Sequence, residues 1–592
     1  MRFAAFAEAL DRADATASRV ETAQILGDLL KVLEGDDLAF AVNFLLGQLG
    51  PAYESNPVGI GDKNVVKALA ALTQSSEKDV GAQMRAVGDL GELAAKAVEG
   101  GRQKTLFAEP LDLARVREQL TLISASGGKG SADRKLKVLQ ELLASASPPE
   151  AKYLVRFLIG RMRVGIGEGT IIEALAHANG DRKRKAEVES AFNRHPDLAL
   201  VAQKMAGGGF PALADVRVQP LIPLRPMLAE RLKSVEEVLV KLGGRAAFDY
   251  KYDGLRMQVH VQGADVKIFS RNLEPYTDQF PDVVALVKAS SRAHAFIVEG
   301  EGVTVDPETG EIRPFQEASR RRGRKYDLTA KAEELPFALF LFDCMFVDGA
   351  DLTGRPYAER REAIRRAVRE GEQLRLSTMR VVESPAQGEA FFLEALADGC
   401  EGIIAKSLSD DSAYRAGARG WAWIKFKRDY SAVLGDTVDL VVVGAFAGKG
   451  RRAGHYGSLL MAARDGETGG LVSLCKLASG FDDAQLAEFD ARLMPSARTE
   501  KPQGVESGLV PDVWLEPKVV MEVRGAELTL SPVHRAAWGQ VKPGAGLAMR
   551  FPRFERYRDD KAPGDATTVE ELLEMYKMQY GQAKGAGRAP GA

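Results

Sequence analysis

The chain contains few cysteines and lacks several catalytic motifs, and each shortage excludes a class of protein. Its 592 residues include three cysteines, Cys344, Cys400 and Cys475, which lie far apart and form no CxxC pair. Neither a disulfide framework nor a cysteine-rich zinc site is therefore expected. A Walker A motif, a GxGxxG fingerprint and HExxH are all missing from the sequence. P-loop enzymes, Rossmann enzymes and zinc hydrolases thus fit poorly.

Long apolar segments are also absent from the sequence. The longest apolar run, residues 337–342, ends at Asp343 and is far shorter than the ~18 residues that cross a bilayer. Near the N-terminus, Glu8 and Asp11 interrupt what would be the apolar core of a signal peptide. The sequence therefore predicts a cytoplasmic protein that is neither secreted nor membrane-bound.

Charge of one dominant sign is missing as well. The chain carries 80 Lys and Arg against 82 Asp and Glu, a formal net charge of −2, which alone argues weakly against a nucleic-acid partner. The average hides a split, because residues 1–100 hold 9 basic and 15 acidic side chains whereas residues 101–200 hold 17 and 12. Such asymmetry suggests a face turned toward a polyanion, with a randomly decorated surface as an equal alternative.

The pattern along the chain predicts several domains, and the length suggests about three to five. Residues 1 to about 215 predict helices, since apolar side chains recur at helical spacing, as in residues 154–162. Three prolines between 220 and 226 mark a linker. Alternating runs such as 257–261 then predict antiparallel strands, with helices near 357–370 and 385–396. From about 431 the pattern predicts a small β-barrel, and residues 581–592 predict a disordered tail.

Lys251 is the first candidate for catalysis, and it stands just before an alternating strand. A lysine amine must lose its proton to act as a nucleophile, and nearby cations or desolvation favour that loss. Two such cations are Lys425 and Lys427, which the alternation of a strand places on one face. Lysine pairs of this kind more commonly guard the edges of sheets.

Two carboxylates and an aromatic ring occur in similar apolar strand contexts. Glu301 and Glu401 are of the residue type that holds Mg²⁺ together with a substrate phosphate. Each of them alone is more often an ordinary charge at a strand start. Phe342 is by default a core aromatic.

Six short motifs occur in one order within residues 251–427. They are KYDGLR at 251–256, SRN at 270–272, EGE at 299–301, FDCMFVDG at 342–349, EGIIAK at 401–406 and WIKFK at 423–427. This order resembles that of the covalent nucleotidyltransferase superfamily, which comprises polynucleotide ligases and messenger-RNA capping enzymes. One such motif is a weak signal, whereas six in sequence are a strong one.

The flanking segments resemble those of ATP-dependent DNA ligases of the three-domain archaeal and eukaryotic type. GLAMRFPRFERYRDDK at 546–561 is similar to the terminal motif of that family, and RVGIGE at 163–168 to its helical DNA-binding domain. The resemblance implies an all-α DNA-binding domain at 1–218 and an α+β nucleotidyltransferase (adenylation) domain with antiparallel sheets at 219–430. An OB-fold β-barrel at 431–580 would follow.

The resemblance also implies a reaction and assigns roles to residues. Lys251 would attack ATP and form lysyl–AMP, the adenylate would pass to the 5′-phosphate of a DNA nick, and the 3′-hydroxyl would then seal the strand. Glu301 and Glu401 would handle metal and ribose, with Mg²⁺ expected and Mn²⁺ as a substitute. The residues implied in nucleotide or pyrophosphate binding are Asp249, Arg256, Arg271, Glu301, Phe342, Lys425, Lys427, Arg558 and Lys561.

Asp249 departs from the family pattern, which usually places Glu two residues before the nucleophile, against the adenine edge. The shorter side chain can still accept a hydrogen bond from the adenine amino group, but it reaches less far.

DNA contacts are expected to use phosphates and duplex shape and to be independent of sequence. A DNA-facing loop would contain Arg320, Arg322, Arg324 and Lys325, with an ordinary solvated loop as the alternative. Backbone amides beside Gly165 and Gly167 would meet phosphates, with a plain inter-helix turn as the alternative. The expected partner is nicked duplex DNA, bound by a monomer in the cytoplasm or at the nucleoid. The sequence does not show whether the protein serves replication, repair or recombination. It also does not identify a clamp that would recruit the protein.

Three other classes compete with this interpretation. An RNA ligase or a capping-type nucleotidyltransferase shares the KxDG core, but neither explains the long helical region or the RFPRF segment. An NAD-dependent ligase would need a four-cysteine zinc site, which three scattered cysteines cannot form. A non-catalytic DNA-binding scaffold would have lost the core lysine and its partners.

Overall fold

The computed structural model describes residues 1–54, 60–100, 109–128, 130–305, 312–313, 318, 336–427, 437–448, 456–525 and 527–585. The chain divides into two units. Unit 1 comprises Met1–Gln83 and Leu90–Lys427, and unit 2 comprises Met84–Asp89 and Arg428–Ala592. In the described ranges, no helix is long and apolar enough to cross a membrane.

The first 208 residues are helical, as predicted. The helices are α1 (Phe3–Ala15), α2 (Arg19–Lys31), α3 (Gly35–Leu45), α4 (Asp62–Thr73), α5 (Glu77–Val87), α6 (Leu90–Gly100), α7 (Leu113–Ala125), α8 (Ser131–Ser145), α9 (Pro148–Leu158), α10 (Glu168–Ala178), α11 (Lys185–Arg194) and α12 (Leu198–Gly208). Helix α9 begins where the Ser147 amide donates to Glu150 Oε2 at 2.7 Å, a capping contact that satisfies an otherwise unpaired donor. The helix ends before Gly160, which adopts φ +66°, so that Met162 packs from the following loop.

The segment predicted to be a linker lies within unit 1 and forms hydrogen bonds to strand-forming residues. Residues 216–227 contain no helix or strand. The Leu224 amide donates to Gln258 Oε1 at 2.9 Å, and its carbonyl accepts from Gln258 Nε2 at 3.1 Å. The side-chain amide of Gln258 thus pairs with the linker as a neighbouring strand would.

Among the described residues, unit 1 continues with two sheets and the four helices named below. The strands are β1 (Leu228–Arg231), β2 (Ala246–Lys251), β3 (Leu255–Gln262), β4 (Asp265–Ser270), β5 (Ala295–Thr304), β6 (Phe337–Val347), β7 (Ala350–Asp351), β8 (Leu374–Leu376), β9 (Met379–Val382), β10 (Gly402–Ser407) and β11 (Arg419–Lys427). The helices are α13 (Val235–Lys241), α14 (Pro281–Ser290), α15 (Tyr357–Ala367) and α16 (Pro385–Ala397). One sheet has the order β1-β11-β10-β2-β9, and the other has the order β4-β3-β5-β6-β7 with β8 beside β6.

The sheets are mostly antiparallel, as predicted, with parallel pairing at β1–β11 and β6–β8. The alternation predicted for β3 is confirmed, because Met257, Val259 and Val261 all lie in one buried core. A second core contains Ile297 of β5 and Trp423 of β11. It therefore joins the facing sides of the two sheets.

Unit 2 is rich in strands and forms a half-barrel. Its strands are β12 (Val438–Ala447), β13 (Tyr456–Arg464), β14 (Leu471–Leu477), β15 (Ala497–Arg498), β16 (Val505–Glu506), β17 (Val513–Leu515), β18 (Val520–Arg524), β19 (Glu527–Ser531), β20 (Gly546–Arg550) and β21 (Arg553–Tyr557). The main sheet has the order β15-β17-β12-β13-β14-β16, with β18 between β12 and β21, and β19 pairs with β20. Helices α17 (Asp483–Leu493) and α18 (Val569–Gly585) complete the unit.

The tail predicted at 581–592 overlaps the last helix of unit 2 and stays a prediction. Helix α18 continues to Gly585, five residues into the segment predicted to be disordered. Gln582, Ala583 and Lys584 are good helix formers that extend the preceding turn, and glycine then ends the helix. Residues 586–592 and the predicted boundary at 430/431 lie outside the described residues.

Candidate active site

Lys251 and Glu401 meet because their strands are neighbours. In the register of β2 and β10, Lys251 is paired with Gly402, and the Glu401 amide donates to the Lys251 carbonyl oxygen at 2.9 Å. The Lys251 ammonium also donates a hydrogen bond to Glu401 Oε2. The predicted nucleophile and one predicted metal ligand are therefore in direct contact.

Glu301 lies on the facing sheet, where β5 pairs it with Arg256 of β3. Burial raises its pKa to about 7, and Lys251 and Arg256 partly oppose that rise. Burial also acts to raise the pKa of Glu401, but Lys251 and Lys427 are close enough to hold it below its ordinary value. Both carboxylates thus lie close to Lys251.

Asp253 also lies close to Glu401 and Glu301, near enough to Glu401 for a side-chain hydrogen bond. In the described part of the chain, no group of three or more His, Cys, Asp or Glu is arranged to hold a metal ion. Mg²⁺ typically uses one or two carboxylates and takes its other ligands from phosphate and water. Glu301 and Glu401 have the hard oxygen donors that such a site requires.

Lys425 and Lys427 lie on one face of β11, as alternation predicts. Their partners on β10 are Ile404 and Gly402, respectively. Burial lowers the pKa of Lys425, and the nearby charges of Arg419, Lys251, Lys427 and Arg271 lower it further. This clustering of cations suits a polyanionic ligand such as a phosphate chain.

Phe342 borders the same space and is half-buried. Its ring packs edge-to-face on Trp423, with 6.0 Å between the centroids, and Lys406 Nζ lies 4.8 Å from the ring centroid. An aromatic surface is therefore held between the two sheets, where it can stack on a planar base.

Asp249 is buried in a polar cluster that the sequence did not reveal. Its Oδ2 accepts from Lys406 Nζ at 2.8 Å and from the Tyr357 hydroxyl at 3.3 Å, and Arg361 Nη1 lies at 3.4 Å. Asp249 Oδ1 is buried and has no hydrogen-bond partner in the part of the chain that the structure describes. Lys406 is the last residue of the EGIIAK motif, and the spacing of Tyr357 and Arg361 on α15 was the only other sequence signal.

Arg256 is held by protein partners. Its Nη2 donates to Glu299 at 2.7 Å, and its Nη1 donates to the Met227 carbonyl at 3.0 Å. Glu299 also accepts from the Tyr414 hydroxyl at 2.8 Å. In this arrangement Arg256 braces the linker and β5, and its predicted contact with nucleotide or DNA stays a prediction.

Arg271 is exposed in the turn after β4 and borders a cavity of about 430 Å³ in unit 1. That cavity is also lined by Arg225 and by Glu168, the first residue of α10, which form an ion pair at 2.8 Å. Gly165 adopts φ +64°, a conformation that favours glycine, whereas Gly167 directly precedes α10. The predicted loop thus leads into a helix N-terminus, but its contact with DNA stays a prediction.

The remaining predicted residues lie elsewhere. Arg558 and Lys561 belong to unit 2, where both contact Asp439. The basic residues of the predicted DNA-facing loop lie outside the described residues: Arg320, Arg322, Arg324 and Lys325.

Three protein-family models match successive parts of the chain. A model described as "DNA ligase N terminus" matches residues 2–176, "ATP dependent DNA ligase domain" matches 226–427, and "ATP dependent DNA ligase C terminal region" matches 452–561. Together they cover most of the chain in the order expected from the sequence motifs.

Curated relatives match over nearly the full length. A protein named DNA ligase from Hyperthermus butylicus is 44% identical over 604 residues, covering 99% of this chain and 98% of the relative. Another, from Ignicoccus hospitalis, is 46% identical over 589 residues, covering 98% and 99%. A solved structure named Pmar-Lig_Pre shares the fold, with a TM-score of 0.55 at 18% identity, and covers 94% of this chain and 99% of that one.

Proposed function

The chain belongs to the ATP-dependent DNA ligase family, and from that premise we propose that it seals nicks in duplex DNA and which role each residue has in the reaction. The contact between Lys251 and Glu401, within reach of Lys425 and Lys427, is the observation that carries the proposal. The proposed domain limits are 1–218, 219–430 and 431–580.

In the first step, the Lys251 amine attacks the α-phosphate of ATP. A nitrogen–phosphorus bond forms and the bond to pyrophosphate breaks, leaving lysyl–AMP. An oxygen of the 5′-phosphate at a nick then attacks lysyl–AMP, so that the nitrogen–phosphorus bond breaks and the Lys251 amine is freed. The 3′-hydroxyl next attacks the adenylated 5′-phosphate, which forms the phosphodiester bond and releases AMP. Such transfers depend on alignment and on compensation of phosphate charge. Lys425 and Lys427 supply that charge at the α-phosphate.

The base is proposed to lie between Phe342 and the buried edge of Asp249. Phe342 offers its ring for stacking. Among the described residues, Asp249 Oδ1 is a buried acceptor without a hydrogen-bond partner, and the adenine amino group is a donor that satisfies it. Lys406 holds the other carboxylate oxygen. This support lets Asp249 serve at the position where the family pattern usually has the longer Glu.

A divalent cation is proposed to bind with the nucleotide, held by Glu301 and Glu401. Mg²⁺, or Mn²⁺ in its place, neutralises phosphate charge when bound. Residues on either side of Lys251 are proposed to orient the triphosphate. Arg558 and Lys561 of unit 2 are proposed to contact the pyrophosphate as it leaves.

Nicked duplex DNA is the proposed partner, and it is bound without regard to sequence. Arg271 and the loop around Gly165 and Gly167 are proposed phosphate contacts, together with the basic residues between 320 and 325. We propose that a monomer acts in the cytoplasm, at the nucleoid, in replication, repair or recombination.

Labelling with α-³²P-ATP tests the enzymatic proposal. The wild-type protein with Mg²⁺ is expected to carry label through a denaturing gel, and Lys251→Ala is expected to carry none. Lys288→Ala, which changes an exposed lysine of α14, serves as the matched control. Unchanged labelling of Lys251→Ala rejects the assignment of the nucleophile, and labelling by GTP alone favours a capping enzyme. Sealing of nicked duplexes with DNA or RNA strands then separates DNA ligase from RNA ligase.

A further inference from the structure

Two carboxylates stand directly opposite each other in unit 2. Asp439 of β12 and Glu522 of β18 are partners in the antiparallel register. Like charges in this position repel and destabilise a sheet unless cations lie between them. We call these two residues the acid pair.

Basic residues of the terminal motif compensate the acid pair. Arg558 Nη1 lies 2.9 Å from each oxygen of Asp439, and Lys561 Nζ lies 2.7 Å from Asp439 Oδ2. Glu522 accepts from Arg556 Nε at 2.6 Å. A single carboxylate, Asp439, therefore holds both cations for which a pyrophosphate contact is proposed.

The second carboxylate partner of Arg558 is Asp560, which is more exposed than Asp439. Arg558 Nε and Nη2 donate to the two oxygens of Asp560 at 2.9 and 2.8 Å, so every guanidinium nitrogen contacts a carboxylate. A phosphate can form a bidentate contact with Arg558 only where one of the two carboxylates is displaced. The Asp560 side chain is 61% exposed and that of Asp439 is 12% exposed. Because exposed ion pairs contribute little stability, Asp560 is the partner that a phosphate displaces more easily.

We propose that Asp439 is a positioning residue for the first step of the reaction. Asp439 is fixed on strand β12 and keeps Arg558 and Lys561 next to each other. Asp560 releases Arg558 Nε and Nη2, which then bind the phosphates of ATP. The two cations then meet the charge that develops on the leaving pyrophosphate. This inference rests on the proposed pyrophosphate contact of Arg558 and Lys561.

The test uses the full chain and measures two steps separately. Asp439→Asn is expected to lower the rate constant of lysyl–AMP formation at saturating ATP by about tenfold or more. Sealing of a nick that already carries the adenylate on its 5′-phosphate should stay within about twofold of wild type, because that step needs no pyrophosphate contact. Asp559→Asn, which alters the neighbouring carboxylate paired with Arg492, should leave both rates unchanged.

A double-mutant cycle separates positioning from a general structural role. In an Arg558→Ala/Lys561→Ala background, Asp439→Asn should cause no further loss, since nothing is left to position. A wild-type rate for Asp439→Asn, or an equal loss in both backgrounds, overturns the inference. If Arg558→Ala/Lys561→Ala itself labels at the normal rate, the proposed pyrophosphate contact fails instead. If Asp439→Asn does not fold, Asp439→Glu, which keeps a displaced carboxylate, is run through the same cycle with the same criteria.

Discussion

The amine of Lys251 donates a hydrogen bond to the carboxylate of Glu401, which lies 150 residues further along the chain. Backbone pairing between β2 and β10 fixes this contact, since Lys251 and Gly402 are partners in the register. The proposed nucleophile, Lys251, and its acidic partner are therefore placed by the hydrogen bonds of a sheet, which holds them more rigidly than a loop would.

Replacing Glu401 by Gln should impair the first step. The amide neither balances the Lys251 ammonium nor offers a charged oxygen to a hard cation, so we expect lysyl–AMP formation to slow by about 10–100-fold. Single-turnover labelling with ATP measures this rate. Glu394→Gln, which alters an exposed carboxylate paired with Arg380, is the control and should label normally. Full-rate labelling by Glu401→Gln would exclude Glu401 from this step.

Neutralising Asp249 should weaken the preference for ATP over GTP. An amide presents a donor that guanine O6 accepts, whereas the carboxylate favours the amino group of adenine. Because Asp249→Asn alone leaves Lys406 buried without its anion, we suggest the pair Asp249→Asn/Lys406→Met. The ratio of labelling by ATP and GTP should fall by about tenfold, the value of one lost hydrogen bond to a charged group. Tyr357→Phe, which keeps Asp249, should retain the wild-type ratio.

His260 should make the stability of unit 1 depend on pH. Burial, assisted by Lys267, lowers its pKa to about 3, so the folded protein keeps the ring neutral while the unfolded chain protonates it below about 6.5. Stability is therefore fully present above pH 6.5 and is lost as the pH falls toward 3. Between pH 7.5 and 5 this loss amounts to about 2 kcal/mol.

Urea unfolding of the full chain, followed at both pH values, measures this effect. His260→Gln should show a pH dependence that is shallower by that amount, whatever its absolute stability. The other buried histidines, His195 and His534, are present in both proteins and cancel in the difference. Equal slopes for the two proteins would contradict the prediction.

The pair Asp343–Arg360 should be costly to break from one side. Arg360 donates to both oxygens of Asp343 at 2.8 and 3.0 Å, and both side chains are fully buried. Arg360→Met leaves an uncompensated buried carboxylate, so the free energy of unfolding should fall by about 3–5 kcal/mol. The double variant Arg360→Met/Asp343→Leu should recover part of the loss. If the double variant recovers no unfolding free energy, the loss comes mainly from the hydrogen bonds of Arg360 to the Ser412 and Arg355 carbonyls.

Much of the fold follows from local pattern. The helices before residue 208 and the alternation of β3 were both predicted, because helical and strand periodicities are properties of neighbouring residues. The same holds for Lys425 and Lys427, whose spacing of two residues places them on one face of β11. The tail predicted at 581–592 stays a prediction, because α18 continues to Gly585 and the residues after it lie outside the described ranges.

The sequence by itself determined which chemical groups this protein carries and in what order, and that order identifies the family. Only the tertiary structure decided their partners: Lys406 for Asp249, Glu299 for Arg256, and Asp439 for Arg558. These contacts depend on strand register and on the packing of helices against sheets, which join residues 43 to 157 positions apart. Periodicity reports which way a side chain points from its own strand, but it carries no information about the distant charge that meets it.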